Sequence, residues 1–392
     1  ALLVSLAATV LAGNPVGEQV VSGTLAFDRS VPGILTIGQA TDRAIINWRE
    51  FSIGSGNVTR FEQPGPGSAV LNRILGGDPS SIYGQLHANG RVFLINPAGI
   101  LVGESGLVDT KGLVASTLDL SNESFLKDAQ LTFAGDSEAS VRNLGEIRAS
   151  GGDVHLIGRS VENGGGIYAY TGTVGLGGGN EVILSNGGSI AVMAGDGRVD
   201  NSGAITAARV GLNAVNGNLY ALAINNSGVI RANRLEGEGG RLVLRAEGAT
   251  AMNSGSLIAP GGEVHLLGDQ VGLDGAIDVS GAESGGIALI GGGFQGAVVG
   301  IPNARRTVVG AGATVNADAG PKGDGGNVVV WADDLTSFNG TISARGGSLS
   351  GEGGRVEVSG REHLAFAGAV DVSAANGLGG SILLDPRDLS VV

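Results

Sequence analysis

One eight-residue pattern returns six times in this chain and leaves few folds open. Two glycines and a variable residue precede alternating apolar positions in GGDVHLIG (151–158), GGRLVLRA (239–246), GGEVHLLG (261–268), GGNVVVWA (325–332), GGRVEVSG (353–360) and GGSILLDP (379–386). The residue after the variable one is always apolar: Val154, Leu242, Val264, Val328, Val356, Ile382. So is the residue two further on: Leu156, Leu244, Leu266, Val330, Val358, Leu384. Between them stand His155, Val243, His265, Val329, Glu357 and Leu383, which follow no rule. A period of two with one constrained side describes a strand whose inner face is specified. Its outer face, His155, His265 and Glu357 included, is expected to meet solvent.

A second unit alternates with the first. It reads NSGAITA (201–207), NSGVIRA (226–232), NGTISA (339–344) and AGAVDV (367–372). Its inward pairs are Ile205/Ala207, Ile230/Ala232, Ile342/Ala344 and Val370/Val372. Asn and Gly are expected to supply left-handed corners between the strands. Short strands, Gly/Asn corners and a repeat in the twenties predict a coil in which each turn stacks about 4.8 Å above the last. The expected fold is all-β, a parallel, right-handed β-helix with an N-terminal cap and small extra-helical strands. With 73 glycines and 4 % aromatic residues, the chain suits a narrow lumen. Leucine-rich repeats and propellers fit worse, because no helical segment and no Trp-Asp signature recurs.

The repeat region, 141–392, allows about ten coils at roughly 25 residues each, a rod on the order of 50 Å. An open end of such a rod needs a cap. Residues 13–140 are where the cap is expected: the repeat fades and Trp48, Phe51, Phe61, Tyr83, Phe93, Phe125 and Phe133 gather. LSNESFLKDA (120–129) reads as a helical turn with Ser121 or Asn122 as N-cap and Glu123 in its first turn. The opening ALLVSLAATVLAG reads as a signal-peptide remnant over residues 1–12, cut after Ala12. It is too short to span a bilayer, and no other segment reads as transmembrane.

Charge and cysteine narrow the function. Asp and Glu outnumber Lys and Arg 37 to 24, for a net charge of −13. No basic cluster exists to neutralise phosphates, which argues against a nucleic-acid partner. There is no cysteine, so disulfides and thiolate metal sites are excluded. A chain that crosses a second membrane unfolded gains from that lack, since a disulfide would trap it.

ANGRVFLINPAGILVG (88–103) reads as strand, corner, strand. Pro97 fixes φ, Asn96 can close an Asx turn, and Gly99 permits a left-handed residue. Around it lie Asn47, Trp48, Phe51, Ile53 and Gly54; Phe61, Gln63 and Pro64; Leu71, Asn72 and Arg73; Ser81, Ile82 and Gly84; and GLVASTLDLSNESFLK (112–127). In this order, over roughly residues 14 to 135, the chain resembles the secretion domain of two-partner secretion exoproteins, the filamentous haemagglutinin family. Ala98 stands where that family usually has asparagine, and its second Asn-Pro-Asn-Leu signature is missing. SILLDPRDLSVV (381–392) is similar to a junction that often precedes passenger sequence.

The resemblance implies a secretion domain ending near residue 260, with the passenger starting beyond it. It implies export through the periplasm, recognition by a dedicated outer-membrane β-barrel transporter through its periplasmic polypeptide-transport domains, and coiling outside the cell. The product is a secreted or cell-surface adhesin of a Gram-negative-type bacterium, with host-cell or surface glycans as a further class of partner. It marks Asn72, Arg73, Asn89, Gly90, Asn96, Pro97, Gly99 and Ile100 as the transporter-recognition and cap residues. Asn96→Ala is then expected to lower secretion more than folded stability. Toxin-delivery and haem-acquisition passengers use the same system.

β-Helices also host polysaccharide lyases and hydrolases, which need converging carboxylates or a base with a metal. The candidates here are His155, His265, Asp333, Asp334 and Glu357. The two histidines lie several coils apart, and the carboxylates read as solvated corners. No His-Glu-x-x-His, Gly-x-Ser-x-Gly or phosphate loop is present; GTVGLGGGNEV (172–182) opens no helix. Asn57, Asn122, Asn225 and Asn339 fit a glycosylation sequon. No catalytic residue, metal or cofactor is expected.

Overall fold

A computed structural model describes residues 13–127, 130–233 and 239–391. The signal-peptide reading of residues 1–12 lies outside them. Among the described residues, 36 strands join in one continuous sheet that winds into a β-helix, and three more form a small separate sheet. Each coil has three faces. The first carries Val58–Glu62, Gln85–Ala88, Leu107–Thr110 and Glu146–Ala149, paired in parallel one above the next. The second carries Ala69–Ile74, Arg91–Ile95, Gly112–Ser116 and Val154–Gly158. The third carries Ser80–Ile82, Ile100–Val102, Ser140–Asn143 and Ser160–Asn163.

The lumen follows from the inward positions. Ile167, Ile205, Ile230, Leu257, Ile277, Val315 and Ile342 form a continuous column up the first face. All are at most 2 % exposed. Branched apolar side chains fill a narrow tube because they pack densely on a pleated surface. The Gly-Gly-x unit builds the second face and the Asn-Ser-Gly unit the first. The third strand of each coil, such as Leu335–Phe338, had no sequence signature of its own.

Coiling starts earlier than residue 141. Parallel pairing begins with Ile34–Gln39 on Val58–Glu62 and Arg43–Trp48 on Ala69–Ile74. The end is closed by two short antiparallel strands, Gln19–Ser22 against Arg43–Trp48 and Leu25–Asp28 against Ile34–Gln39. Phe27 packs edge-on to Trp48 at 5.9 Å, and Trp48 to Phe51 at 5.5 Å, which plugs the lumen. The repeat was hidden in this region because aromatic residues and polar corners replace the Gly-Gly-x pattern.

The corners also differ from expectation. Among the described residues, Gln295 is the one non-glycine with positive φ, at 52°. The corner asparagines are not left-handed. Asn143, Asn163, Asn201, Asn226 and Asn253 turn inward and form a buried amide ladder, each Nδ2 donating to the next Oδ1 at 2.8, 2.7, 2.7 and 2.6 Å. Many corner glycines are required by space instead. A Cβ on Gly262, Gly286, Gly326, Gly354 or Gly380 would sit 2.0 to 2.2 Å from the carbonyl oxygen of the glycine below.

Three excursions leave the coil at the same corner, between the second and third faces. The first holds the helix Asn122–Lys127 and the strand Leu131–Ala134; the second is the hairpin Glu181–Leu184 and Ile190–Ala194; the third is the loop 291–305. Ser121 caps the helix, its Oγ accepting the Ser124 N–H at 3.0 Å. Leu131–Ala134 joins the hairpin as the small antiparallel sheet. These segments fold back over the second face. A second core forms beneath them from Ile45, Leu71, Phe93, Ile157, Phe125, Phe133 and Val182. The outward Gly175 and Gly177 of GTVGLGGGNEV seat Ile190 and Val182 directly on the coil.

The solvent-facing reading of three outer positions is overturned, and for His155 and Glu357 the cover comes from these excursions. His155 is 2 %, His265 5 % and Glu357 0 % exposed.

Candidate functional site

The motif residues occupy two corners rather than one patch. Between the first and second faces, Asn89 clasps the backbone of Gln63 in the coil below. Its Oδ1 accepts the Gln63 N–H at 2.7 Å and its Nδ2 donates to the Gln63 carbonyl at 2.8 Å. Gly90 beside it has no room for a side chain: a Cβ would lie 2.5 Å from Gln63 Oε1 and 2.7 Å from the Ser68 carbonyl.

The remaining residues lie at or beside the corner between the second and third faces, Asn72 and Arg73 within the second-face strand Ala69–Ile74 that leads to it. Asn96 is fully buried. Its Oδ1 accepts the Ala98 N–H at 2.9 Å, which closes the expected Asx turn. Its Nδ2 reaches the coil below and donates to the Asp78 carbonyl and to Ser80 Oγ, each at 3.0 Å. Gly99 adopts φ 117°, and its N–H closes the turn on the Asn96 carbonyl at 3.0 Å. Its carbonyl accepts the Ser80 N–H at 2.9 Å. The Pro97 carbonyl accepts from Ser137 Oγ at 2.6 Å. Ile100 is 3 % exposed and stacks between Ser80 and Val141.

Asn72 is fully buried as well. Its Oδ1 accepts from Trp48 Nε1 at 2.9 Å and its Nδ2 donates to the Phe93 carbonyl at 3.2 Å, so one amide ties three successive coils. Arg73 points outward and staples the first excursion. Its Nε lies 2.9 and 3.1 Å from the Asp119 carboxylate, while Nη1 and Nη2 donate to Asn122 Oδ1 and the Leu120 carbonyl at 2.8 Å. Sequence reasoning missed Asp119, Ser80 and Ser137 as partners; only the position of Asp119 within 112–127 signalled it.

Because Asn72 and Asn96 are internal staples, replacing them must weaken the fold itself. Asn96→Ala is thus expected to cost folded stability as well.

The residues weighed for catalysis are engaged elsewhere. Burial pushes His155 below its ordinary pKa, and its ring nitrogen Nε2 lies 2.8 Å from the Gly188 carbonyl. Burial, with Arg241 beside it, does the same to His265. The two histidines sit four rungs apart in one outward column, roughly 19 Å at the strand spacing. Burial raises the pKa of Glu357, whose Oε2 accepts the Gln295 N–H at 2.9 Å. Asp333 pairs with Arg361 at 3.1 Å and accepts from Trp331 Nε1 at 3.1 Å. Asp334 pairs with Arg305 at 3.5 Å. Among the described residues no group of three or more His, Cys, Asp or Glu is placed to hold a metal, and no helix is long and apolar enough to cross a membrane.

Known proteins share this architecture. A "Heme/hemopexin-binding protein" of Haemophilus influenzae (strain ATCC 51907 / DSM 11121 / KW20 / Rd) is 34 % identical over 262 residues, covering 62 % of this chain and 28 % of that protein. Another Haemophilus influenzae protein of that name is 38 % identical over 106 residues, 27 % of this chain and 11 % of its own length. The chain thus spans less than a third of either relative. The crystal structure of the HMW1 secretion domain from Haemophilus influenzae superposes with a TM-score of 0.80 at 30 % identity, covering 96 % of this chain and 99 % of that one. The family model for the TPS secretion domain matches residues 21–259, which takes in most of the antiparallel cap, both stapled corners and the whole amide ladder. With those corners and that match together, the chain belongs to the TPS secretion domain family, the secretion domain of two-partner exoproteins.

Proposed function

We propose that this chain directs export of a larger exoprotein through an outer-membrane β-barrel transporter, and that the transporter's periplasmic domains engage residues 72–100 before the coil closes. The supporting observation is the burial of the motif. Asn72 and Asn96 are fully enclosed and Ile100 nearly so. A partner cannot read them in the folded domain, but an extended segment offers them together with its unpaired backbone, the substrate of β-augmentation. Once outside, the same side chains close the first coils, and each coil templates the next, which biases movement outward. The product is secreted or held at the cell surface.

The test compares binding to the transporter's isolated periplasmic domains. Chain held unfolded in mild urea should bind, and prefolded domain should neither bind nor compete. Equal binding by the folded domain would overturn the reading. In cells, a full signal peptide and the cognate transporter should release folded protein into the medium, and Asn96→Ala should lower that yield.

We assign the domain no catalytic role. The support is that Asp333, Asp334 and Glu357 are already paired or buried. For the whole exoprotein, haem acquisition is favoured over adhesion to glycans by the names of the two relatives. Hemopexin capture by the full-length exoprotein, set against binding to a glycan array, separates the two.

A further inference from the structure

The small outer sheet is ordered Leu131–Ala134, Glu181–Leu184, Ile190–Ala194, and its last strand is paired on one side only. The Ser185 N–H donates to the Ser189 carbonyl at 2.9 Å. Bonded pairs alternate from there, so Ile183 and Ala191 form the next one. Ile190 and Val192 therefore aim their N–H and C=O groups at the open side. Their side chains point down onto the coil and are 9 % exposed, while Ala191 and Met193 face solvent. Edge strands are commonly blunted by a charge, a proline or a bulge. The run from Ser185 to Ala194 holds no charge and no proline. Its one bulge is at Met193, which leaves Ser189 to Val192 regular.

A groove of about 290 Å³ runs between this edge and the coil, bounded by Ile190 and Val192 on one side and by Asn213, Val215 and Arg245 on the other. Its floor repeats the seat on which the hairpin already rests. Gly175 and Gly177 stand at outward positions of the second face, where a Cβ would lie 3.2 to 3.3 Å from Ile190. Gly211 pairs with Gly175 one rung further along. Among the described residues, a Cβ there would meet only Asn213 Nδ2, at 3.2 Å. The bare backbone that carries one strand is thus offered a second time, with no described residue on it. The chain break that precedes Gly239 is at the opposite corner, roughly 20 Å along the strand from Arg245.

We infer that the open edge of Ile190–Ala194 takes up an extended segment of another polypeptide as a fourth strand of the outer sheet. The segment's backbone bonds Ile190 and Val192, and a small or β-branched side chain rests on Gly211. Strand addition needs free main-chain groups and a floor for alternate side chains, and this edge supplies both with no charge to be matched. A second copy of the domain does not fit as an antiparallel partner. The two-fold axis of such a pair stands normal to the sheet, so both coils would fall on the same side of it and in one volume. A single slim strand avoids that conflict. The site exists only once the domain has folded, so it is separate from the extended segment offered to the transporter.

Isothermal titration calorimetry on the folded chain tests this with an acetylated, amidated peptide of alternating valine and threonine, carrying a lysine at each end for solubility. The control is the same peptide methylated at its internal backbone nitrogens. The expected result is saturable 1:1 binding of the first and at least tenfold weaker binding of the second. Gly211→Leu, which fills the seat from the outer surface of the coil, should abolish binding, and its thermal midpoint reports whether it folds. Amide hydrogen exchange on the unaltered chain decides the matter even if that variant does not fold: Ile190 and Val192 should gain protection with the peptide. No saturable binding at millimolar peptide, equal affinity for the methylated control, undiminished binding by folded Gly211→Leu, or unchanged exchange at Ile190 and Val192 would each overturn the assignment. Dimerisation in sedimentation that Gly211→Leu removes would overturn it too, in favour of a second copy.

Discussion

Asn96 serves three partners with one amide, and that economy makes it sensitive. Truncation to alanine leaves the Ala98 N–H, the Asp78 carbonyl and Ser80 Oγ without their bonds in a buried corner. Buried polar groups left unpaired cost about 1–3 kcal/mol each, partly recovered by relaxation. Asn96→Ala should therefore lose about 3 kcal/mol in urea unfolding; a loss below about 1 kcal/mol would contradict the staple role. Glu357 offers a case of opposite sign. Burial raises its pKa in the folded state, so the fold favours the protonated form. Its contribution to stability is full below the unfolded-state pKa and is lost as pH rises through the raised folded value. Glu357→Gln should raise the thermal midpoint at pH 7–8 and flatten its fall between acid and neutral pH; an unchanged profile would rule this out. The Asx turn at Asn96 was legible in the sequence because it is local. The reach of Asn72 and Arg73 into other coils was not, since nothing in a linear pattern states what lies one rung away. His155 and Glu357 misled for the same reason: their covers come from excursions that carry no repeat.

At the scale of the element, the amide ladder and the glycine columns set the register between coils. The ladder runs from Asn143 to Asn253, where the column turns apolar: Asn253 stacks on Leu273, then Val309, Phe338 and Phe366. The two phenylalanines stack at 5.3 Å. Position within the ladder therefore decides cost. Asn201→Leu, in its middle, strands amides on both sides and should lose about 2–3 kcal/mol. Asn253→Leu, at its end, strands one and gains a leucine contact, so it should lose less than half as much; equal losses would mean the ladder is not read as a chain of bonds. Gly262→Ala must push apart two rungs that approach to 2.1 Å of its Cβ. It should cost at least about 3 kcal/mol, and a near-neutral effect in chemical denaturation would refute the spacing argument. The inward columns were legible because they repeat with period two. The reason for the corner glycines and asparagines was not: sequence shows that they recur, while close approach and amide stacking exist only between coils.

Across the whole molecule, each coil touches chiefly the one below and the one above. Late coils share one length: the Glu352 N–H bonds Asp324 across 28 residues, and Asn376 bonds Ser348 across the same 28. Removing one such coil, residues 327–354, should bring Asp324–Gly326 onto Arg355 in unchanged register and leave a cooperatively unfolding β-protein by circular dichroism. Removing half a coil should not, because it sets strands of one face against corners of the next. The excursions obey a different rule. All three leave at the corner between the second and third faces, though they differ in length and in what they build: a helix and a strand, a hairpin, an irregular loop. The rungs on either side keep their pairing, as Ile287–Ile290 and Arg306–Val309 do around the third. Among the described residues these three excursions thus share a single docking bay along the side of the rod, where new sequence can be inserted and displayed while the coil beneath keeps its stacking order.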